Sequence, residues 1–424
     1  MLFLLQPLIL TAWTSTAALT CPHTSRLARA SPLVLGAAED AARHERWMNC
    51  ALALGERGRC STSPNPWVGC IIVASDGATV LAQGYHERKG GPHAEAAALA
   101  DAKRRGVSRE AMQRATAYVT LEPCHRGPGK STPPCDEALV AAGLRDVHIA
   151  LVDPDSTFGG GAGVGHLRDH GVRVTTGTGA AAVGASLRPY LHQRRTGRPW
   201  VVLKAASAAD GTIACADGSS QWITGPAARS HAQRLRAEST AILVGSGTAL
   251  ADAPKLTVRL AEGALPAGWL PPAAKPLRVL LDGRGRVADG PLLDVTLAPT
   301  LVFTTAASAG SAASAAWERA GVEVVELPAV GEAATRVELD AVLRALGARG
   351  IVQLMVEGGG EVLGDFIRAG LAQQLRLYVG ATALGATARR WMRSPLAETI
   401  ESAPRWSVLA VEQLDNDVCI DYEL

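Results

Sequence analysis

The chain has 424 residues, 47% of them apolar, and a formal net charge of +2. That length and apolar share support two or three domains with substantial cores, and mixed, nearly balanced charge with only 4% aromatic residues speaks against an extended nucleic-acid-binding surface. Eight scattered cysteines are too few for a disulfide framework at this length and fit a reducing compartment.

Met1 to Leu19 is mostly apolar and carries no charge; Arg26 and Arg29 follow in a Ser/Ala/Pro context, and the first acidic residue is Glu39. The apolar stretch has the form of a secretory signal peptide without its positive n-region, and the acid-free segment behind it has the form of a transit peptide. Residues 1–40 together resemble the two-part presequence of plastids bounded by extra membranes. A buried N-terminal helix, and with it a cytoplasmic protein, is the alternative. No other segment reaches the ~18–20 apolar residues of a membrane span, so no stable membrane association is expected.

From Arg43 the pattern becomes that of a folded domain. Trp47, Met48, Ala51 and Leu52 recur at helical spacing up to about Gly55. Ser63-Pro64-Asn65-Pro66 is a turn, Val68 to Ala74 a short buried strand, Asp76-Gly77 a hairpin turn and Thr79 to Gly84 the returning strand. A helix begins at His93 and runs to about Arg105. Strands at Ala117–Leu121, Val147–Leu151 and Val172–Thr175 alternate with a helix beginning at Cys135. The alternation predicts an α/β layer over 43–187 with polar residues at helix starts. Residues 188–199, with Arg188, Arg194, Arg195, Arg198, Pro189 and Pro199, read as a solvated linker. A second α/β unit over 200–424 has strands at 201–204, 241–245, 277–281, 301–304, 322–327, 351–356 and 375–379, with loops at 261–276 and 305–315.

In the first unit, Pro92-His93-Ala94-Glu95 is followed by Pro123-Cys124 and Pro134-Cys135. One imidazole and two thiolates are the ligands of a catalytic zinc that keeps its fourth position for water. Together with a His-x-Glu they form the pattern of zinc-dependent base deaminases. His93, Cys124 and Cys135 are therefore the expected zinc ligands and Glu95 the proton carrier. Each ligand directly follows a proline at a predicted strand-to-helix turn, where backbone N–H groups favour a thiolate. His125 stands beside Cys124 as an alternative fourth ligand, which would make the site structural. The second cysteine lies eleven positions after the first, and the loop between them carries Arg126, Gly127, Gly129 and Lys130, suited to gripping an anion such as a phosphate.

In the second unit, Lys204, Arg236 and Arg259 are basic residues in apolar or turn contexts. They suit a phosphorylated substrate, and taken alone they fit a solvated face as well. Val356-Glu357-Gly358-Gly359-Gly360 ends a strand and opens a helix. That arrangement either brings backbone N–H groups to a phosphate or is simply a tight turn.

Three stretches carry a specific resemblance: Pro64-Asn65-Pro66-x-Val68-Gly69-Cys70, His93-Ala94-Glu95, and Thr120-Leu121-Glu122-Pro123-Cys124 with Thr132-Pro133-Pro134-Cys135. They are similar to the bifunctional deaminase/reductase of riboflavin biosynthesis, and the second unit resembles its reductase half. The resemblance covers Arg43 to the C-terminus. It implies a cytidine-deaminase-like three-layer domain followed by a dihydrofolate-reductase-like α/β domain, with Zn2+ and NADPH as cofactors. It implies hydrolytic deamination of 2,5-diamino-6-(5-phosphoribosylamino)pyrimidin-4-one and then reduction of its ribosyl group to ribityl. Carried over residue by residue, Asn65 contacts the pyrimidine and Lys130 supplies a basic contact. Lys204, Ser220, Arg236, Leu256, Arg259 and Glu357 face the ribose phosphate. Ala206, Ser207, Trp222, Thr248, Asp252, Gly359 and Gly360 face NADPH, and Asp210 matches a motif position of open role. The chain departs from the family pattern at Ala208-Ala209, at Gln373-Gln374 and in the enlarged Cys124–Cys135 loop. A small-molecule substrate, no nucleic-acid partner and a homo-oligomer are expected. The rival readings are one retained activity of the two, a nucleic-acid base deaminase, and a binding protein without turnover.

Overall fold

The computed structural model describes residues 32–127, 133–157, 159–331, 333, 335–392 and 395–424. The first unit opens with α1 (Pro32–Glu56) and the antiparallel pair β1 (Gly69–Val73) and β2 (Val80–Tyr85). Next come α2 (Ala94–Arg104), α3 (Arg109–Arg114), β3 (Thr116–Leu121), α4 (Cys135–Ala142) and β4 (Asp146–Leu151). The unit closes with α5 (Ala162–Asp169), β5 (Arg173–Thr176) and α6 (Ala180–Ser186). The five strands form one sheet in the order β2-β1-β3-β4-β5, with β3, β4 and β5 parallel.

Two glycines fix the layering. A Cβ at Gly69 would fall on the Ala51 carbonyl of α1, and a Cβ at Gly84 on the backbone of α2. Gly84 pairs with Cys70, the neighbour of Gly69, and successive residues of a strand point to opposite faces. Helix α1 therefore covers one face and α2 the other, giving the three-layer sandwich. All five residues of β1 are buried as a result, which is why Gly-Cys-Ile-Ile-Val reads as a continuous apolar run.

Helix α1 reaches back to Pro32, well before the helix expected from Arg43 and inside the segment 1–40 expected to be a presequence; residues 1–31 lie outside the described residues. The expected linker is a correction. Residues 188–196 form α7 (Arg188–Thr196) with Pro189, Tyr190, Leu191 and Gln193 buried. Three of the four arginines are paired: Arg188 with Glu423 at 3.5 Å, Arg194 with Asp155 at 3.3 Å, and beyond the helix Arg198 with Asp340 at 2.6 Å, while Arg195 is exposed. Tyr190 donates to Asp153 at 3.0 Å and Gln193 to the Gly347 carbonyl at 3.3 Å.

The second unit contains β6 (Trp200–Ala208), β7 (Thr212–Ala214), α8 (Pro226–Glu238), β8 (Ala241–Gly245), α9 (Ser246–Asp252), β9 (Leu277–Leu281) and β10 (Thr300–Thr304). It continues through α10 (Ala312–Ala320), β11 (Glu323–Glu326), β12 (Ala329–Val330), β13 (Arg336–Val337), α11 (Leu339–Ala348), β14 (Gln353–Glu357) and α12 (Gly360–Arg368). It ends with β15 (Gln374–Gly380), β16 (Arg389–Arg390), β17 (Ser407–Leu414) and β18 (Asp417–Glu423). The main sheet has the order β11-β10-β9-β8-β14-β6-β15-β18-β17 and is parallel from β11 to β15. At its end β18 runs antiparallel to β15, and β17 antiparallel to β18.

Two cores lie on opposite faces of this sheet. Leu243, Val356, Val342, Leu346, Leu363 and Phe366 pack α11 and α12 on one face. Ile242, Val244, Ala249, Leu280, Val302 and Trp317 pack α9 and α10 on the other. The chain thus leaves the neighbouring strands β8 and β14 toward opposite faces, which opens a crevice at their carboxyl ends, the usual ligand position of doubly wound sheets. The region 305–315 is not wholly a loop: Ser311 accepts the Ser314 N–H at 3.0 Å and starts α10.

Candidate functional site

In the first unit the helix starts bring the zinc-binding residue types together. His93 is the N-cap of α2, Cys135 the first residue of α4, and Cys124 follows β3. His93 Nδ1 lies 3.3 Å from Cys124 Sγ and 3.6 Å from Cys135 Sγ, and the three donor atoms all lie within 4.8 Å of one another. Zn–S of ~2.3 Å and Zn–N of ~2.0 Å in a tetrahedron put N and S about 3.5 Å apart. The donor set fits zinc with one position open, and among the described residues no fourth protein ligand joins this group. Glu95, in the first turn of α2, is 3% exposed. Burial, then the neighbouring Cys124 charge, pushes its carboxyl above the ordinary range, the condition for a group that takes and returns a proton near neutral pH.

Asn65 reaches this centre through a residue the motif reading missed. His86, at the end of β2 and 3% exposed, sits edge-on to His93 with ring centroids 5.3 Å apart. Its Nδ1 is 2.8 Å from the Pro92 carbonyl, which can only accept, so Nδ1 carries the proton and Nε2 accepts from Asn65 Nδ2 at 3.2 Å. This turns the Asn65 oxygen away from His86. The only sequence signal for His86 is its place at a strand end seven residues before His93. Lys130 lies outside the described residues.

In the second unit the expected phosphate group residues converge. Lys204 on β6 is paired in register with Glu357 on β14. Glu357 takes a bidentate bond from Arg236, whose Nη2 is 2.7 Å from Oε2, and Arg236 also donates to the Thr257 carbonyl at 3.0 Å. Burial raises the Glu357 carboxyl, but Arg236, Lys204 and Arg259 together hold it below its ordinary value. Burial lowers the Lys204 amine against the pull of Glu357. Three cations around one anion leave net positive charge beside the sheet's carboxyl end. Leu256 is 1% exposed, with a φ of 48°.

Beside this group lies a cleft of about 860 Å³ at the carboxyl ends of β8, β9 and β14. Ser220, Thr248, Asp252, Gly359 and Gly360 line it, and Thr248 Oγ1 accepts the Gly359 N–H at 2.8 Å, tying the two sides of the crevice. Ala206, Ser207 and Trp222 are not among its lining residues. Ser207 is buried within β6, while Trp222 is 69% exposed with the Arg229 guanidinium 4.5 Å above its ring. Arg284 and Arg286, on the turn after β9, also line the cleft and were not anticipated; the signal was the Asp-Gly-Arg-Gly-Arg run that follows a buried strand. Asp210 accepts the Leu384 and Gly385 N–H groups at 2.8 Å each, a loop-holding role.

Comparison with known proteins agrees with this division. The family model described as the cytidine and deoxycytidylate deaminase zinc-binding region matches residues 41–151, and that of the RibD C-terminal domain matches residues 199–420. The chain is 36% identical over 381 residues to the riboflavin biosynthesis protein RibD of Chlamydia pneumoniae, covering 89% of this chain and 95% of that protein. Among solved structures it resembles Acinetobacter baumannii RibD, with a TM-score of 0.77 at 33% identity over 91% of this chain and 99% of that one. It also resembles the diaminohydroxyphosphoribosylaminopyrimidine deaminase/5-amino-6-(5-phosphoribosylamino)uracil reductase of Thermotoga maritima, with a TM-score of 0.74 at 30% identity over 91% and 99% of the two chains. The chain belongs to the RibD family of riboflavin biosynthesis proteins, a zinc-binding deaminase domain followed by a reductase domain.

Proposed function

We propose that residues 43–187 deaminate 2,5-diamino-6-(5-phosphoribosylamino)pyrimidin-4-one and that residues 200–424 reduce the ribosyl group of the product to ribityl. The observation that carries the reading is the pairing of two centres in one chain. One is His93, Cys124 and Cys135 around buried Glu95; the other is Lys204, Arg236, Arg259 and Glu357 beside the cleft.

Zinc, held by His93, Cys124 and Cys135, supplies an activated water when bound. Glu95 takes one proton from the attacking water and gives it to the ring nitrogen, then carries that water's second proton to the departing amine as the C–N bond breaks and the carbonyl forms. Asn65, held by His86, orients the pyrimidine. Lys130 is proposed as a contact to the substrate's anionic end on sequence grounds alone. In the second half NADPH supplies the hydride when bound. Thr248, Asp252, Gly359, Gly360 and Ser220 line the space that suits it. The proposed roles of Ala206, Ser207 and Trp222 toward NADPH rest on sequence resemblance, because they stand outside the cleft lining. Lys204, Arg236 and Arg259 hold the substrate phosphate, whose binding energy positions the reacting carbon.

Homo-oligomer formation and the absence of a nucleic-acid partner rest on composition and family resemblance. The plastid destination rests on residues 1–40 alone, and the relatives named above are bacterial. Import of a reporter fused behind residues 1–40 tests it. Among the described residues no helix is long and apolar enough to cross a membrane.

The activity test follows ammonia release and NADPH oxidation separately with the diaminopyrimidine phosphate as substrate. Both are expected, with NADPH oxidation following deamination. Ammonia release without any NADPH oxidation defeats the bifunctional reading.

A further inference from the structure

A second group of donor residues stands beside the zinc centre and takes no part in the chemistry above. His125 follows Cys124, Asp136 is the second residue of α4, and His166 lies on α5. One donor atom from each of the three lies within 4.8 Å of the others. The Asp136 side chain is completely buried. One of its oxygens is 2.6 Å from His125 Nδ1, and the other accepts the Glu137 N–H at 2.8 Å. A carboxylate withdrawn from water is costly unless a cation or several donors surround it, and two imidazoles face this one. The His125 and His166 ring centroids are 5.5 Å apart.

The supports are rigid. Glu122 accepts N–H bonds from Asp153, Gly161 and Val164 at 3.1, 3.0 and 3.1 Å, which seats the start of α5. A Cβ at Gly163 would fall on the Pro123 carbonyl, so α5 runs in backbone contact with the segment that carries Cys124 and His125. Three chain segments are thus held at fixed spacing around one point, as a preorganised ligand set requires.

We infer that His125, Asp136 and His166 form a second metal site, separate from His93, Cys124 and Cys135, that takes a borderline divalent transition ion such as Zn2+, Co2+ or Ni2+. Two imidazoles and one carboxylate, without sulfur, select that class over Ca2+ or Mg2+. Metal–donor bonds of ~2.1 Å place the donor atoms about 3.4 Å apart. Binding therefore opens the His125–Asp136 contact slightly and draws His166 inward, movements within reach of side-chain rotation. The ion neutralises Asp136 and ties the first residue of the Cys124–Cys135 connection to both α4 and α5. The site needs neither activity of the proposed function.

The test titrates the metal-free full-length chain with Co2+, following visible absorption and equilibrium dialysis. Wild type is expected to bind two equivalents, one with thiolate-to-cobalt charge-transfer bands and one with ligand-field bands only. His166→Ala should lose one equivalent and keep the thiolate bands. Cys135→Ala should lose those bands and keep the other equivalent. Asp136→Asn should weaken the sulfur-free equivalent by at least about tenfold. Should that buried substitution impair folding, His166→Ala, half-buried on α5, decides the matter. One equivalent in wild type, or two in His166→Ala, overturns the inference.

Discussion

At Glu95 the carboxyl is withdrawn from water beside the zinc-binding side chains, and burial raises its proton affinity. Glu95→Gln keeps the shape and removes the proton transfer. Ammonia release should fall by about 10²–10⁴-fold, with metal content and reduction of supplied deaminated substrate unchanged; a loss under about tenfold sinks the assigned role. Arg236 poses a different problem. Its guanidinium spans both Glu357 oxygens and a backbone carbonyl at once, which an ammonium cannot do. Arg236→Lys should raise the KM for the substrate of the reductase half by at least about tenfold while leaving deamination intact. Steady-state kinetics of NADPH oxidation measure this.

Elements show a pH dependence that no single residue explains. On the α1 face of the first sheet, His44 stacks on His148 with centroids 4.0 Å apart, and His44 Nδ1 bonds the Tyr118 hydroxyl at 2.8 Å. Burial, then the neighbouring His44, lowers His148 to about 4, against the pull of Asp146; burial and Arg43 lower His44. Both folded values lie below the unfolded value of about 6.5, so the unfolded chain binds more protons below that pH. Stability is complete above about pH 6.5 and declines as pH falls toward 4, by at most about 1.4 kcal/mol per pH unit for His148 and less after solvent screening. In urea unfolding between pH 7 and 4.5, His148→Gln should lose less stability than wild type; parallel curves refute this. Much at this scale was readable in advance. Parallel strands buried on both faces read as apolar runs, and the zinc ligands stood in proline-led turns whose spacing survives folding. Other features depend on tertiary partners. Arg278, inside the run read as a strand at 277–281, is completely buried, donating to the Pro291, Asp294 and Ala298 carbonyls at 2.8 Å each, partners that local sequence does not announce. His86 and Asp136 likewise acquire meaning only beside residues distant in sequence. The arginine-rich stretch 188–199 looked solvated because the acidic partners of Arg188, Arg194 and Arg198, namely Glu423, Asp155 and Asp340, are spread over the chain.

Across the whole molecule the two halves grip one another. Arg57 donates to the Gly268 carbonyl at 3.1 Å and accepts the Leu270 N–H at 2.7 Å, so the 261–276 loop of the second half closes over the end of α1. Arg59 lies 3.7 Å from Glu238, which also takes a bond from Arg234 at 3.1 Å; the Glu238 side chain is 6% exposed. Removing Glu238 leaves Arg59 with its Glu56 pair at 3.1 Å but takes away the anion it shares with Arg234 across a poorly hydrated seam, and Glu238→Ala should cost about 1 kcal/mol or somewhat more. Calorimetry should then resolve two unfolding events where wild type gives one; a single unshifted transition counts against the coupling. The helical joint at 188–196 has a practical corollary. Proteases need an exposed, extended stretch to enter their active sites, and α7 presents a coiled segment with its tyrosine and leucine turned inward. Limited digestion of the folded protein should therefore not separate it into its two catalytic halves. An enzyme made from separately expressed halves, in turn, is expected to work only where the pieces find each other again.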